Sequence, residues 1–476
     1  MHIRKNKPQL SMSLSARHSL ILLWAPVFFA LLYLSFSLLM FKYGPIDWPI
    51  KNEEVFWVLN FSYLVMFFLG FCLAIWNRPW WVDRERVLHP RDFSVFFWPA
   101  CVCVFLVVLI GHRNLTMSSS YVPTTIFSDF LTGLISPEKG YVYKLSEEAK
   151  ENFSGNPPVT FLYGALSFSK LILIYILVAG WPKLSRRKKT IGSFISIFPI
   201  ITGVCVGTNK PIFDVALGFS SIILICALIQ PGFERLHFLK ERFVIILMTL
   251  SIIIFAGFYY QHTMSVRAGG LEYAASLSSN SNSKVSEIRV KPGFQEYCES
   301  SGDWTLKICS LLSTGTIYMT QGYYGMSLST DVPLETTYGM GHSKFLLEAL
   351  RKYLDIDLNP RTFQHKIDDQ WSATGQWHSA YSQWANDVGF AGVVLVMLAL
   401  GFYFGGVWVS ALIGRNDIAI CSIPLIMTLI LFIPANNQIF NILGSFASFV
   451  VLFTAWTGCL VINKFGRCAN RRGYTC

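Results

Sequence analysis

Apolar residues in this chain gather into long runs rather than into the period-2 or period-3.6 stripes of a soluble protein. The runs lie near 19–41, 55–76, 94–111, 159–181, 190–208, 210–230, 243–260, 388–412, 418–434 and 439–462. Each is close to the about 20 residues a helix needs to cross a bilayer core. The pattern therefore predicts an all-α integral membrane protein, a polytopic bundle of about ten transmembrane helices. The two runs joined at Gly207-Thr208-Asn209-Lys210-Pro211 are the hardest to separate. Pro211 suits the first turn of a new helix, and the polar residues before it suit a tight turn.

Two polar segments are long enough to matter. Residues 112–158 form a loop with a weakly amphipathic stretch, Tyr121 to Ile135. Residues 261–387 make up about a quarter of the chain and contain no full-length apolar run. Within them, Ser276 to Ser286 is Ser/Asn-rich and predicted mobile, and Phe345 to Leu354 has the pattern of a short amphipathic helix. The expected organisation is seven spans over 1–260, one large extracytoplasmic loop over 261–387, and three spans with a tail over 388–476. No internal repeat is visible, which weighs against inverted-repeat transporter plans.

Composition agrees with the pattern: of 476 residues, 53% are hydrophobic, 15% aromatic and only 14% charged. The mean hydropathy is +0.45. A soluble domain carries about 25% charged residues. The net charge of +11 would suit a nucleic-acid partner if it lay on one face. It is instead split into short blocks between apolar runs, as in cytoplasmic membrane loops, so no nucleic acid is expected. With the N-terminus inside, the inner segments hold 21 Lys and Arg in about 75 positions, against 17 in about 190 outside. Both termini are then cytoplasmic, which an even number of spans requires. Arg4, Lys5, Lys7 and Arg17 precede a run too long for a cleavable signal, so that run is read as the first span.

Most of the 11 cysteines lie in apolar runs and read as small hydrophobes. Cys298 and Cys309 lie in a polar stretch. They are a disulfide candidate if that stretch faces an oxidising compartment, and two unpaired thiols otherwise.

The large loop holds His262, Arg267, Arg289, Lys291, His342, Arg361, His365 and His378 beside Trp304, Tyr318, Tyr323, Tyr324, Trp371, Trp377 and Trp384. Cations of this kind bind phosphate oxygens, and Trp and Tyr faces stack on sugars. An aromatic belt with solvated charges has the same composition. Lys210 and Asp214, four residues apart at a span edge, share a helix face and form either a site or a local ion pair. Lys170 falls mid-span, where it lines a polar cavity or tethers a carboxylate. Arg267 follows the seventh span at the depth of a lipid phosphate, or serves as an interfacial anchor.

The stretch Trp377-His378-Ser379 through Asn386-Asp387-Val388-Gly389 to Gly392 leads from the loop into the eighth span. A His followed by Gly at intervals of eleven and fourteen, with an acidic residue shortly before the first Gly, resembles the loop-to-helix signature of O-antigen ligases and polymerases. Tyr318-Met319-Thr320-Gln321-Gly322-Tyr323-Tyr324-Gly325 and Tyr338-Gly339-Met340-Gly341-His342-Ser343 are similar to runs in oligosaccharide repeat-unit polymerases, the Wzy family. Where these families often carry Arg at a span edge, this chain has Lys210.

The resemblance implies a GT-C-like fold in a bacterial inner membrane, with the active face periplasmic. It implies polymerisation of undecaprenyl-pyrophosphate-linked repeat units into O-antigen by a metal-independent glycosyltransferase without cofactor. Membrane lipids, a chain-length regulator and a flippase are the implied partners. His378 is then the expected base, with Asp387 orienting it, and Lys210 and Arg267 the clamp on the departing pyrophosphate. Arg289, Lys291, Arg361, Tyr323, Tyr324, Trp377 and Asp387 are the expected substrate contacts. The alternatives are a ligase moving finished glycan onto lipid A core, a transporter or flippase, and a membrane acyltransferase.

Overall fold

The computed structural model describes residues 16–81, 93–145, 155–278 and 288–472. Nine helices among them are long and apolar enough to cross a membrane: Leu20–Tyr43, Glu53–Trp76, Phe93–Thr116, Pro157–Lys183, Arg186–Cys205, Lys210–Leu228, Phe243–Met264, Ala380–Leu412 and Leu443–Ile462. The chain is thus an all-α multi-pass membrane protein. The remaining expected span, near 418–434, is the helix Asp417–Phe432, only 16 residues long. Twelve of its 16 residues are buried, and it runs back through the bundle from the end of the Ala380–Leu412 helix to its start, where Ala380 N–H donates to the Ile433 carbonyl. The two runs that were hardest to separate are distinct helices, Arg186–Cys205 and Lys210–Leu228, with Pro211 in the first turn of the second. Gly207 makes the turn at φ +64°, a left-handed conformation that costs glycine nothing.

The Glu53–Trp76 and Ala380–Leu412 helices meet at the centre through reciprocal glycines. A Cβ on Gly70 would lie 2.0 Å from the Leu398 carbonyl oxygen, and one on Gly401 2.0 Å from that of Phe67. Small residues allow membrane helices this approach, and dispersion contact then holds them. Phe67, Phe71 and Phe404 are fully buried around the crossing.

The segment 261–387 is not simply a loop. The seventh apolar helix continues to Ser278, and a 27-residue helix, Asp303–Ser329, follows. The second half of that helix enters the bundle beside the first span. Tyr323 is fully buried, with its hydroxyl 3.0 Å from Ser37 Oγ. Trp48 Nε1 donates to Thr320 Oγ1 at 3.1 Å. Its many Gly, Ser and Thr residues dilute the hydropathy that marks the other spans. Two residues of antiparallel ladder, Ile46 with Val290 and Asp47 with Arg289, pin the segment to the connection between the first two spans. A disulfide joins Cys298 to Cys309 across a Cα separation of 6.1 Å and ties the Pro292–Ser300 helix to its successor.

The expected amphipathic helices are present as Ile126–Ile135 and Lys344–Leu354. A helical segment capped by Ser379, which accepts from Ser382 N–H, precedes the eighth span, and a break at Gly389 divides the two near the expected start at 388. The Ser/Asn-rich stretch beyond Ser278 lies outside the described residues as far as 287.

Candidate functional site

At the end of the bundle where the Ala380–Leu412 helix begins, Asp387 collects donors from a turn far away in sequence. Its Oδ1 accepts from Gly341 N–H at 2.9 Å and from Thr337 Oγ1. Its Oδ2 accepts from His342 N–H at 3.0 Å and from His342 Nδ1 at 3.1 Å. Asn386 completes the clasp, donating from Nδ2 to the Gly341 carbonyl and accepting Phe363 N–H. Thr337 Oγ1 also reaches the Asn386 carbonyl. Gly341 is required by this packing, since a Cβ would lie 2.1 Å from Thr337 Oγ1.

A carboxylate only accepts, so Nδ1 of His342 carries a proton, which leaves Nε2 as the nitrogen able to take up or release one. The His342 side chain is 26% exposed and that of Asp387 10%. The ring packs edge-on against Phe440 at 5.3 Å. Asn437 Nδ2 holds the His342 carbonyl, and Ser343 Oγ donates to the Phe440 carbonyl. The imidazole is fixed through Nδ1, and among the described residues no group bonds its Nε2.

Lys344 lies two residues beyond His342, Arg361 is bonded to Tyr338 of the same turn, and a row of aromatic rings includes Trp377, just before the helix that carries Asp387. Lys344 Nζ donates to the Ala373 carbonyl at 3.1 Å. Lys344 is exposed, and desolvation lowers its pKa. Arg361 Nη1 donates to Tyr338 Oη at 3.0 Å, with the guanidinium 5.3 Å from that ring. A row of partly exposed aromatics crosses five segments: Phe213 to Tyr260 at 6.2 Å, Tyr260 to Tyr318 at 6.3 Å, Tyr318 to Trp377 at 4.9 Å and Trp377 to Phe432 at 6.5 Å.

His378 is not placed as the sequence suggested. It is 1% exposed, and its Nε2 lies 3.2 Å from the Ser372 carbonyl and donates to it. Its pKa is pulled down to about 3, first by burial and then by the charge of Lys344, so the ring is neutral. Asp387 orients His342 instead. His342 stands in the Gly-rich run singled out above, but nothing in linear spacing marks the pairing across 45 positions.

Tyr323 and Tyr324 are also core residues rather than substrate contacts. Tyr323 is packed against Phe41 and Phe56, and Tyr324 stacks on Trp48 at 5.3 Å. Lys210 is held by Asp214 at 2.6 Å, the local ion pair. Trp377 is half-buried, and its carbonyl accepts from Trp371 Nε1. Lys291 Nζ reaches the Lys42 carbonyl, and Arg289 is exposed in the short ladder beside it. These two therefore sit by the first two spans. Arg267 is on the Phe243–Ser278 helix, but its side chain lies outside the described residues.

Among the described residues, no three His, Cys, Asp or Glu side chains are grouped as a metal would need. No protein-family model, no curated protein and no solved structure matches the chain.

Proposed function

We propose that this protein polymerises lipid-linked oligosaccharide repeat units into O-antigen by glycosyl transfer at the periplasmic face of a bacterial inner membrane, with both termini cytoplasmic. The observation that carries the reading is the His342–Asp387 dyad at one end of a multi-pass bundle. Lys344 and Arg361 on neighbouring segments, and the aromatic row that includes Trp377, suit a substrate that is sugar at one end and pyrophosphate at the other.

In this reading the acceptor hydroxyl gives its proton to His342 Nε2, and Asp387 stabilises the imidazolium. The hydroxyl oxygen forms a bond to the anomeric carbon of the donor. The bond from that carbon to the pyrophosphate breaks, and its electron pair leaves with undecaprenyl pyrophosphate. Lys344 and Arg361 supply positive charge where the leaving group becomes more negative.

A second reading, transport, rests on one feature. The Pro157–Lys183 span tightens to i→i+3 bonds at Ser167–Phe168 without leaving helical angles, and Lys170 lies in that tightened turn. Intramembrane charge is a feature of transporters.

Deleting the gene in its host and resolving surface polysaccharide on a gel separates these. Core bearing a single repeat unit supports polymerase. Core without any repeat, with lipid-linked polymer accumulating, indicates ligase, and an unchanged ladder favours transport.

A further inference from the structure

The opposite end of the bundle holds a cavity of about 330 Å³ that the dyad does not use. It opens where the C-terminal ends of the Ser169–Gly180 and Lys210–Leu228 helices meet the start of Asp417–Phe432. Tyr175, Lys183, Gln230, Arg242, Arg415 and Asp417 are among the residues lining it.

The cavity has a closed floor and an open, basic mouth. On the floor, Tyr175 Oη donates to Asp417 Oδ1, and both residues are buried. Arg242, also buried, spends its hydrogens on the Val178, Ala179 and Phe238 carbonyls and on Glu241. It caps a helix C-terminus while bringing a full positive charge to the cavity wall. Glu241 is engaged by that guanidinium and by His237. At the mouth, Lys183 is exposed and its ammonium meets no partner among the described residues. Arg415 is exposed and donates from Nη2 to the Ile229 carbonyl, which leaves its other N–H groups for a ligand.

The two charges left open are thus both cationic and both at the rim of a cavity that ends at the membrane boundary. Basic pockets between membrane helices, on the side facing the anionic leaflet, take phosphate head groups. We propose that this cavity binds a phosphate-bearing head group, that of an anionic phospholipid, through Lys183 and Arg415. The bilayer supplies such lipid at high local concentration, and Arg242 reinforces the field without contacting the ligand. This site is independent of the glycosyl-transfer reading.

The test uses the full chain purified in a non-ionic detergent, with the thermal unfolding midpoint as readout. The probes are phosphatidylglycerol, phosphatidylcholine and glycerol 3-phosphate, added separately. The variant is Lys183→Gln with Arg415→Asn, because Arg415 sits at φ +54° and Asn tolerates that conformation. Lys240→Gln, an exposed charge outside the cavity, is the control for lost net charge. Phosphatidylglycerol is expected to raise the wild-type and Lys240→Gln midpoints by a few degrees, with at least half the rise lost in the double variant. A comparable rise with glycerol 3-phosphate also supports the phosphate site and assigns it to a soluble ligand. Equal rises in wild type and double variant, or equal rises with phosphatidylcholine and phosphatidylglycerol, would overturn the proposal.

Discussion

His342 Nδ1 and Asp387 Oδ2 lie 3.1 Å apart across 45 residues of sequence, and the same carboxylate also receives the His342 backbone N–H at 3.0 Å. The contact fixes the position of the imidazole and its tautomer at once. Asp387→Asn is expected to keep the turn in place but lose tautomer control, because an amide offers Nδ1 no obligate acceptor. Polymer formation should fall roughly 100-fold or more, the scale of general-base catalysis. Loss of backbone acceptors should cost about 1–3 kcal/mol of stability. Comparing polymer yield with the amount of folded protein separates the two effects, and unchanged yield per folded molecule would count against the dyad.

His378 makes a prediction about pH rather than about chemistry. Its folded pKa, about 3, lies below the ordinary 6.5, so the unfolded chain binds a proton that the folded one refuses. Stability is therefore full above about pH 6.5 and declines as pH falls toward 3. Within that window His378 contributes about tenfold in the unfolding equilibrium per pH unit. Unfolding of His378→Gln should depend less steeply on pH between 6 and 4, and an identical slope in wild type and variant would refute the assignment.

Gly389 breaks the Ala380–Leu412 helix at φ +70° and ψ 164°, a region essentially reserved for glycine. A Cβ there would also stand 3.2 Å from Leu334 Cδ2. Gly389→Ala is expected to destabilise the fold by about 1–3 kcal/mol. Denaturant or thermal unfolding in detergent measures it, and a neutral effect would mean that the break is not a fixed feature.

Cys298 and Cys309 are bridged. Thiol labelling of the unfolded protein should gain two sites after reduction, and Cys298→Ser should lose about 2–4 kcal/mol. Equal labelling before and after reduction would contradict the bridge.

The spans were readable because each carries its own signal. An apolar run long enough to cross identifies a helix without reference to its neighbours, and Pro211 and Ser379 mark two helix starts locally. The Asp303–Ser329 helix escaped because its buried face is built from Tyr, Gly, Ser and Thr, which register as polar although Tyr323 is fully enclosed. The site was readable only in part. The Gly-rich run around His342 and the acidic residue before Gly389 were both visible as motifs. Their pairing depends on how Thr337, Gly341 and Asn386 fold the turn onto Asp387, and tertiary contacts of this kind leave no periodicity. His378 misled because a histidine before a helix reads as exposed, whereas here Trp371, Gly325 and Ser372 enclose it.

The surface polysaccharide of cells carrying His342→Ala in a gene-deletion background tests the proposal most directly. The dyad predicts that the long-chain ladder collapses to core with a single repeat unit, with the variant protein present in the membrane at the wild-type level. A full-length ladder from His342→Ala at that level would contradict it, and His342 would then be no more than a ligand for the Asp387 carboxylate.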